Sequence, residues 1–410
     1  MLEWNFEPEE PLSETSHSKT AATVAPIPTL DLKRQYATIR AEIEPAIARV
    51  CESQQLILGE EVATLEREIS EFLGASETVA CASGTDALWL AMQAGGMGPG
   101  DAVITTPFSF FASASAIVRC GARPVFVDVD PATLNLDPEA VVRYLETSGT
   151  QVHGILPVHL YGQCAQVDRF TEIARNFKLR LFEDAAQAFG ATWRSRRAGS
   201  LGLAAGFSFY PTKNLSAFGD AGCVTTSDPE LAIRARNLRN HGSARRYYHE
   251  EIGWNSRMDA IQAVVLRVKL KHLRGWNARR REIAVRYDEL FIRAGLAEPR
   301  PLGPEAPGAL NPVRLLATLP DAGHIFHQYV IRVPERDELK KHLADAGIGS
   351  EIYYPVPLHL QQCFSYLGYV EGSLPESERA AREVLALPIF PELTTEEQQR
   401  VVDAVADFYS

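Results

Sequence analysis

Gly206-Phe207-Ser208-Phe209-Tyr210-Pro211-Thr212-Lys213-Asn214-Leu215 is the stretch on which the fold turns. It reads as an aromatic strand that stops at Pro211, since proline has no N–H to give to a sheet. Lys213 follows in a short loop, and Gly219-Asp220-Ala221-Gly222 leads into another strand. Upstream and downstream, short apolar runs recur at 78–82, 102–105, 123–129, 152–158, 179–183, 205–210 and 222–226. Helical patterns fall between several of them, at 86–95, 109–119, 138–146 and 168–176. Apolar strands without polar alternation, interleaved with helices, predict an α/β fold: a mostly parallel sheet covered on both faces.

Further out, a helical period begins near Asp31 and runs to about Phe72, with a break around Leu58-Gly59. Two long helical patterns follow Arg257, roughly at 258–273 and 277–294. Residues 299–320 are rich in Pro and Gly and read as a linker. From Val330 to Ser410 the order is strand, helix, strand, loop, helix, strand, helix. Residues 1–25 are polar and aperiodic, and read as a mobile N-terminal tail. The expected division is therefore a large domain over 26–275, with an N-terminal helical segment, and a smaller C-terminal α/β domain over 276–410, including a linker helix. A length of 410 residues fits two or three domains.

Composition removes several function classes. The net charge is −11 and the pI is near 5.5, a poor balance for binding nucleic acid or anionic membrane. No apolar run approaches the ~18 residues of a membrane span, and the acidic start is wrong for a signal peptide. The six cysteines, at 51, 81, 120, 164, 223 and 363, form no CxxC and have no clustered His. No metal site and no disulfide framework is expected, and a reducing cytoplasmic setting fits.

Three segments carry chemistry. Ser83-Gly84-Thr85-Asp86-Ala87-Leu88 follows a strand and opens a helix, a place where free N–H groups bind anions; a plain strand-helix turn capped by Thr85 or Asp86 is the alternative. Leu181-Phe182-Glu183-Asp184-Ala185-Ala186-Gln187 ends a strand on an acidic pair, where open α/β sheets place ligand-binding groups. An Asp there could hold the protonated nitrogen of a heteroaromatic ring, or simply cap a turn. Lys213, between Ser208 and the strand-end Asp, suits Schiff-base chemistry near an electron sink.

With PVHLYGQC (157–164), EDAAQAFGA (183–191), FSFYPTKNLSAFGDAG (207–222), GWNSRMDAIQA (253–263) and YYPVPLHLQ (353–361), the chain resembles the DegT/DnrJ family of pyridoxal-phosphate-dependent sugar aminotransferases. The resemblance runs from about Pro28 to the C-terminus and implies the type I aspartate-aminotransferase fold. It implies that Lys213 forms the Schiff base with pyridoxal 5'-phosphate and that Asp184 pairs with the ring nitrogen. Gln187 would bond the phenolic oxygen, and Ser208 with the backbone of Gly84 and Thr85 would hold the phosphate. Phe110 would stack on the ring, or belong to the core. Asn255 would reach the phosphate of the neighbouring subunit in a homodimer. Arg257, Tyr353, Tyr354 and His359 fall where the family lines its sugar-nucleotide pocket, although packing roles are open for all four. A subgroup of the family carries histidine in place of the lysine, so Lys213 places this chain with the aminotransferases. Ser216 and Ala217 stand where the family often has Gly.

The implied reaction moves an amino group from L-glutamate to a nucleotide-linked keto-sugar in amino-sugar biosynthesis. Arg239, Arg245, Arg246 and Arg257 around the 240–257 loop could meet a diphosphate. The run from Asn240 to Arg257 looks more like family members that aminate carbon 3 than carbon 4. The alternatives are a keto-cyclitol aminotransferase and a silent cofactor-binding regulator. A nicotinamide dehydrogenase is disfavoured, because no GxGxxG follows a strand.

Overall fold

The computed structural model describes residues 25–300 and 311–410. Apart from Ala25, the expected tail lies outside these residues, as does the middle of the expected linker. Seven strands build the main sheet: Glu77–Cys81, Ala102–Thr105, Arg123–Phe126, Gly154–Leu156, Arg180–Asp184, Ala204–Ser208 and Gly222–Thr226. Numbered along the chain, their spatial order is first, seventh, sixth, fifth, fourth, second, third. Gly222–Thr226 runs antiparallel to both its neighbours, and the remaining pairs are parallel. Arg180–Asp184 and Ala204–Ser208 are adjacent and parallel, so their carboxyl ends open onto the same edge of the sheet.

The covering helices start where side chains can satisfy their free amides. Ser83, Asp137 and Asp228 each accept from a first-turn N–H, and Pro138 and Pro229 follow two of these caps. Thr85 and Asp86 thus lie inside the helix Gly84–Ala94, and Ser83 is its cap, two residues before the earlier of the two that the sequence suggests. Val167–Phe177 buries Val167, Phe170, Ile173 and Ala174, the spacing of one helical face.

Two regions differ from the sequence reading. The paired helical patterns after Arg257 form one helix, Ala260–Arg293, of 34 residues. Gly275 falls in the gap between those patterns, and a glycine there costs about 1 kcal/mol, but its neighbours are held on both sides. Leu273 lies in the main core, Trp276 packs with the helix Leu32–Ser53, and Arg280 donates to three backbone carbonyls. The second difference is the strand expected after the first C-terminal helix. It is reduced to isolated bridges, Ile348 with Ile27 and Glu351 with Ala386, because the chain changes partner within three residues.

The second sheet is antiparallel, Arg314–Leu315, Tyr329–Arg332 and Val384–Leu387 in spatial order. Helices Arg336–Asp345 and Thr395–Phe408 pack on it through Leu339, Leu343, Val401 and Val405. The long helix serves both cores: Ala263, Leu266 and Leu273 enter the first, and Ile283, Ala284, Tyr287 and Phe291 the second. Cys81, Cys120, Cys164 and Cys223 are buried thiols, while Cys51 and Cys363 are exposed. Among the described residues, no helix is long and apolar enough to cross a membrane.

Candidate active site

The start of helix Gly84–Ala94 rests on the ends of Ala204–Ser208 and Gly222–Thr226. A Cβ on Gly84 would lie 2.5 Å from the Ser208 Cβ, so only glycine permits this approach. The Ser83 hydroxyl and carbonyl take the amides of Asp86 and Ala87. The amides of Gly84 and Thr85 remain outside the helix's own ladder, beside the half-buried Ser208 hydroxyl. A helix start beside a hydroxyl in this way can seat an anion.

Asp184 ends its strand one parallel pair from Gly206. Its carboxylate is 3% exposed and accepts from the Ser113 hydroxyl at 2.6 Å and the Ala186 amide at 3.2 Å. Burial raises its pKa, opposed by those two bonds and by the positive Lys213. Burial likewise pushes the Lys213 amine down to about 8, against the pull of Asp184. A carboxylate strained by burial in this way gains from a further cation or N–H donor.

Gln187 is oriented by its neighbours. Its carbonyl oxygen accepts the Tyr161 amide at 2.6 Å, and its amide nitrogen donates to the Tyr354 hydroxyl at 2.9 Å. One amide hydrogen is left for a ligand. Tyr354 packs against Phe108 and Phe110, with ring centroids 6.3 Å apart in each pair. Phe110 is 59% exposed, so it is a wall of the site and not core. Tyr353 follows the same segment, its carbonyl receiving the Tyr161 hydroxyl.

Beneath the strand end, His159 accepts the Ala165 amide on Nδ1 and therefore donates from Nε2 to Glu183, at 3.0 Å. Burial would raise the Glu183 carboxyl, but His159 and the amides of Gly199 and Gly202 outweigh it and hold it low. Glu183 is thus an internal anchor, and Asp184 alone of the acidic pair points to the site.

The remaining expected residues are not all brought together. His359 is 1% exposed and bonds Glu378 at 3.0 Å, facing the interior. Arg239 is also withdrawn, bridging Glu66 at 2.6 Å and the Ala80 carbonyl. Asn255 is exposed and accepts from Arg257 at 3.1 Å, and Arg257 also reaches Asn240. Arg245 and Arg246 lie over the rings of Tyr248 and Tyr247. Sequence reasoning passed over Ser113, which sits in a run of small residues with no pattern, and Tyr161, whose motif was quoted without a role.

These features meet their relatives in three comparisons. Residues 37–406 match the model of the DegT/DnrJ/EryC1/StrS aminotransferase family. The chain is 47% identical over 383 residues to the pleiotropic regulatory protein of Geobacillus stearothermophilus, covering 93% of this chain and 98% of that one. It is 44% identical over 382 residues to the dTDP-3-amino-3,4,6-trideoxy-alpha-D-glucose transaminase of Streptomyces venezuelae, covering 93% and 96%. Its fold superposes on the crystal structure of DesV from S. venezuelae with a TM-score of 0.87, 42% identity and coverage of 94% and 99%.

Proposed function

This chain belongs to the DegT/DnrJ/EryC1/StrS aminotransferase family, a pyridoxal-phosphate-dependent sugar aminotransferase of type I fold, and we propose that it moves the amino group of L-glutamate to carbon 3 of a nucleotide-linked keto-sugar. The observation that carries this reading is the Asp184–Gln187–Ser208–Lys213 set in a chain 44% identical to a transaminase named for a 3-amino sugar. The donor set fits the cofactor. Gly84 and Ser208 make a cradle that a Cβ would fill, and Asp184 is a buried acceptor in need of a proton donor.

When bound, pyridoxal 5'-phosphate supplies an electron sink for charge developing on the amine-bearing carbon. The chain's own residues do the rest. Ser208 and the Gly84 and Thr85 amides would hold the cofactor's phosphate, and Asp184 would accept from its ring N–H. The free amide hydrogen of Gln187 would donate to its phenolic oxygen. Phe110, backed by Tyr354, would pack on its ring and exclude water. Lys213 would supply the covalent attachment, and its free amine would take and return the proton at the substrate carbon. Asn255, exposed in a single chain, and the half-buried Arg257 complete the site of a second copy. Tyr353 and the arginines of the 240–257 loop meet the sugar nucleotide.

The test supplies purified protein with L-glutamate and, in turn, UDP- and dTDP-linked 3-keto and 4-keto sugars, and locates the new amine by NMR. Amination at carbon 3 is expected. Amination at carbon 4 alone would overturn the position, and turnover of a free keto-cyclitol but no nucleotide sugar would overturn the substrate class.

A further inference from the structure

Behind the lysine loop, three buried amide and imidazole groups from distant parts of the chain meet. Asn214 is the residue after Lys213, Asn277 lies in the long helix, and His327 stands just before the strand Tyr329–Arg332. They are 5%, 4% and 7% exposed. The directions of their bonds follow from one fixed end, because a backbone carbonyl can only accept. Asn277 Nδ2 donates to the Phe189 carbonyl at 3.2 Å. Its Oδ1 therefore accepts, from Asn214 Nδ2 at 2.8 Å. Asn214 Nδ2 also points to the Ile325 carbonyl at 3.5 Å, which leaves Asn214 Oδ1 to accept from His327 Nδ1 at 3.0 Å. His327 thus carries its proton on Nδ1. It is uncharged, since burial, and then the positive Lys213 and Arg280, disfavour its protonation. Its backbone is fixed as well, through the Arg280 guanidinium on its carbonyl at 3.1 Å.

We infer that Asn214 and His327 are positioning residues for Lys213: with Asn277 they form a brace that ties the lysine loop to the long helix and to the segment entering the second sheet. Neither residue is assigned to cofactor or substrate. The brace matters because a group that moves a proton must sit within a fraction of an ångström of its path. A loop lysine otherwise has four rotatable bonds and a mobile backbone. Losing one partner would leave a buried amide unpaired, which costs more than the bond is worth when made. The inference rests on the reading of Lys213 as the covalent residue, but its test does not.

The experiment compares His327→Asn with His327→Gln in the full-length, cofactor-loaded protein. Asparagine keeps an N–H near the Nδ1 position, and glutamine moves it toward Nε2. The first readout is amide hydrogen exchange over residues 209–217, and the second is kcat separately from KM for glutamate. We expect His327→Asn to stay near wild type. His327→Gln should speed exchange in the loop and lower kcat, each by about tenfold, the size of one buried hydrogen bond, with KM nearly unchanged. Asn214→Leu should match His327→Gln, and Lys213→Ala should leave loop exchange slow. Equal behaviour of the two His327 variants, or unchanged exchange in Asn214→Leu, would overturn the brace. Loss of turnover by Lys213→Ala with slow exchange preserved separates the lysine's chemistry from its positioning.

Discussion

Lys213 lies beside Asp184 in a site where burial has the larger say over its charge, holding the amine at about 8. Only the neutral amine attacks a carbonyl carbon. The sign follows: below about 8 the folded protein keeps Lys213 protonated, and the neutral fraction grows as pH rises through that value. Covalent capture of pyridoxal 5'-phosphate by cofactor-free protein should accelerate with pH and level off above about 8, not near the ordinary lysine value of about 10.4. Stopped-flow absorbance checks this, and a plateau near 10 would show that the amine is not held down. Lys213→Ala should lose at least about a thousandfold in turnover, since nucleophile and proton carrier vanish together. A second residue test concerns Gly84, where a methyl group would collide with Ser208. Gly84→Ala should weaken cofactor binding by about tenfold or more while far-UV circular dichroism stays normal; unchanged affinity would remove the phosphate from this seat. The types and order of these residues are visible in the sequence. Ser113 is not, because its bond to Asp184 spans 71 positions and joins the helix Ala112–Arg119 to the end of a strand far along the chain.

At the scale of elements, the long helix is where local preference and tertiary contact disagree. Gly275 is exposed, helical, and has open space where a Cβ would go. Gly275→Ala should therefore stabilise the protein by about 0.5–1 kcal/mol, read as a higher denaturation midpoint with unchanged activity. A lower midpoint would mean that the helix needs its glycine. The sequence shows two helices here because a single chain of residues carries the breaker and not what overrides it. The buried contacts of Leu273, Trp276 and Arg280 come from three other parts of the fold. The helix start at Ser83 is a local cap, within three residues, yet the sequence reading set it at Thr85 or Asp86, because three capping residue types stand within four positions.

Large apolar side chains are exposed at Phe110 and Phe111, at Tyr210 and Phe218 on either side of Lys213, and at Tyr247, Tyr248, Ile252 and Trp254 in the 240–257 loop. Apolar residues gathered this way usually mark an interface, and twofold pairs are the commonest assemblies. We expect a homodimer in which the 240–257 loop completes the partner's site. Mixing Lys213→Ala with Asn255→Ala protein should then restore activity that neither has alone, because some sites receive both intact residues. No recovery despite proven subunit exchange, or a fully active monomer by light scattering, would refute the shared site.

The alternation of strands and helices through the main sheet, the glycine turn, the acidic strand end and the lysine after its aromatic strand were determined by the sequence alone. Each depends on residues within about a dozen positions of one another, where periodicity, caps and turn chemistry act. Tertiary structure alone decided which of two adjacent acids faces the site: Glu183 is turned inward by His159 and three amides, leaving Asp184. It also withdrew Arg239 into an ion pair with Glu66 and His359 into a hydrogen bond with Glu378. And it placed Ile27, near the start of the described chain, in the core of the second sheet. Those outcomes depend on partners far along the chain, and a charged side chain finds its partner only after the sheets have packed and water has left.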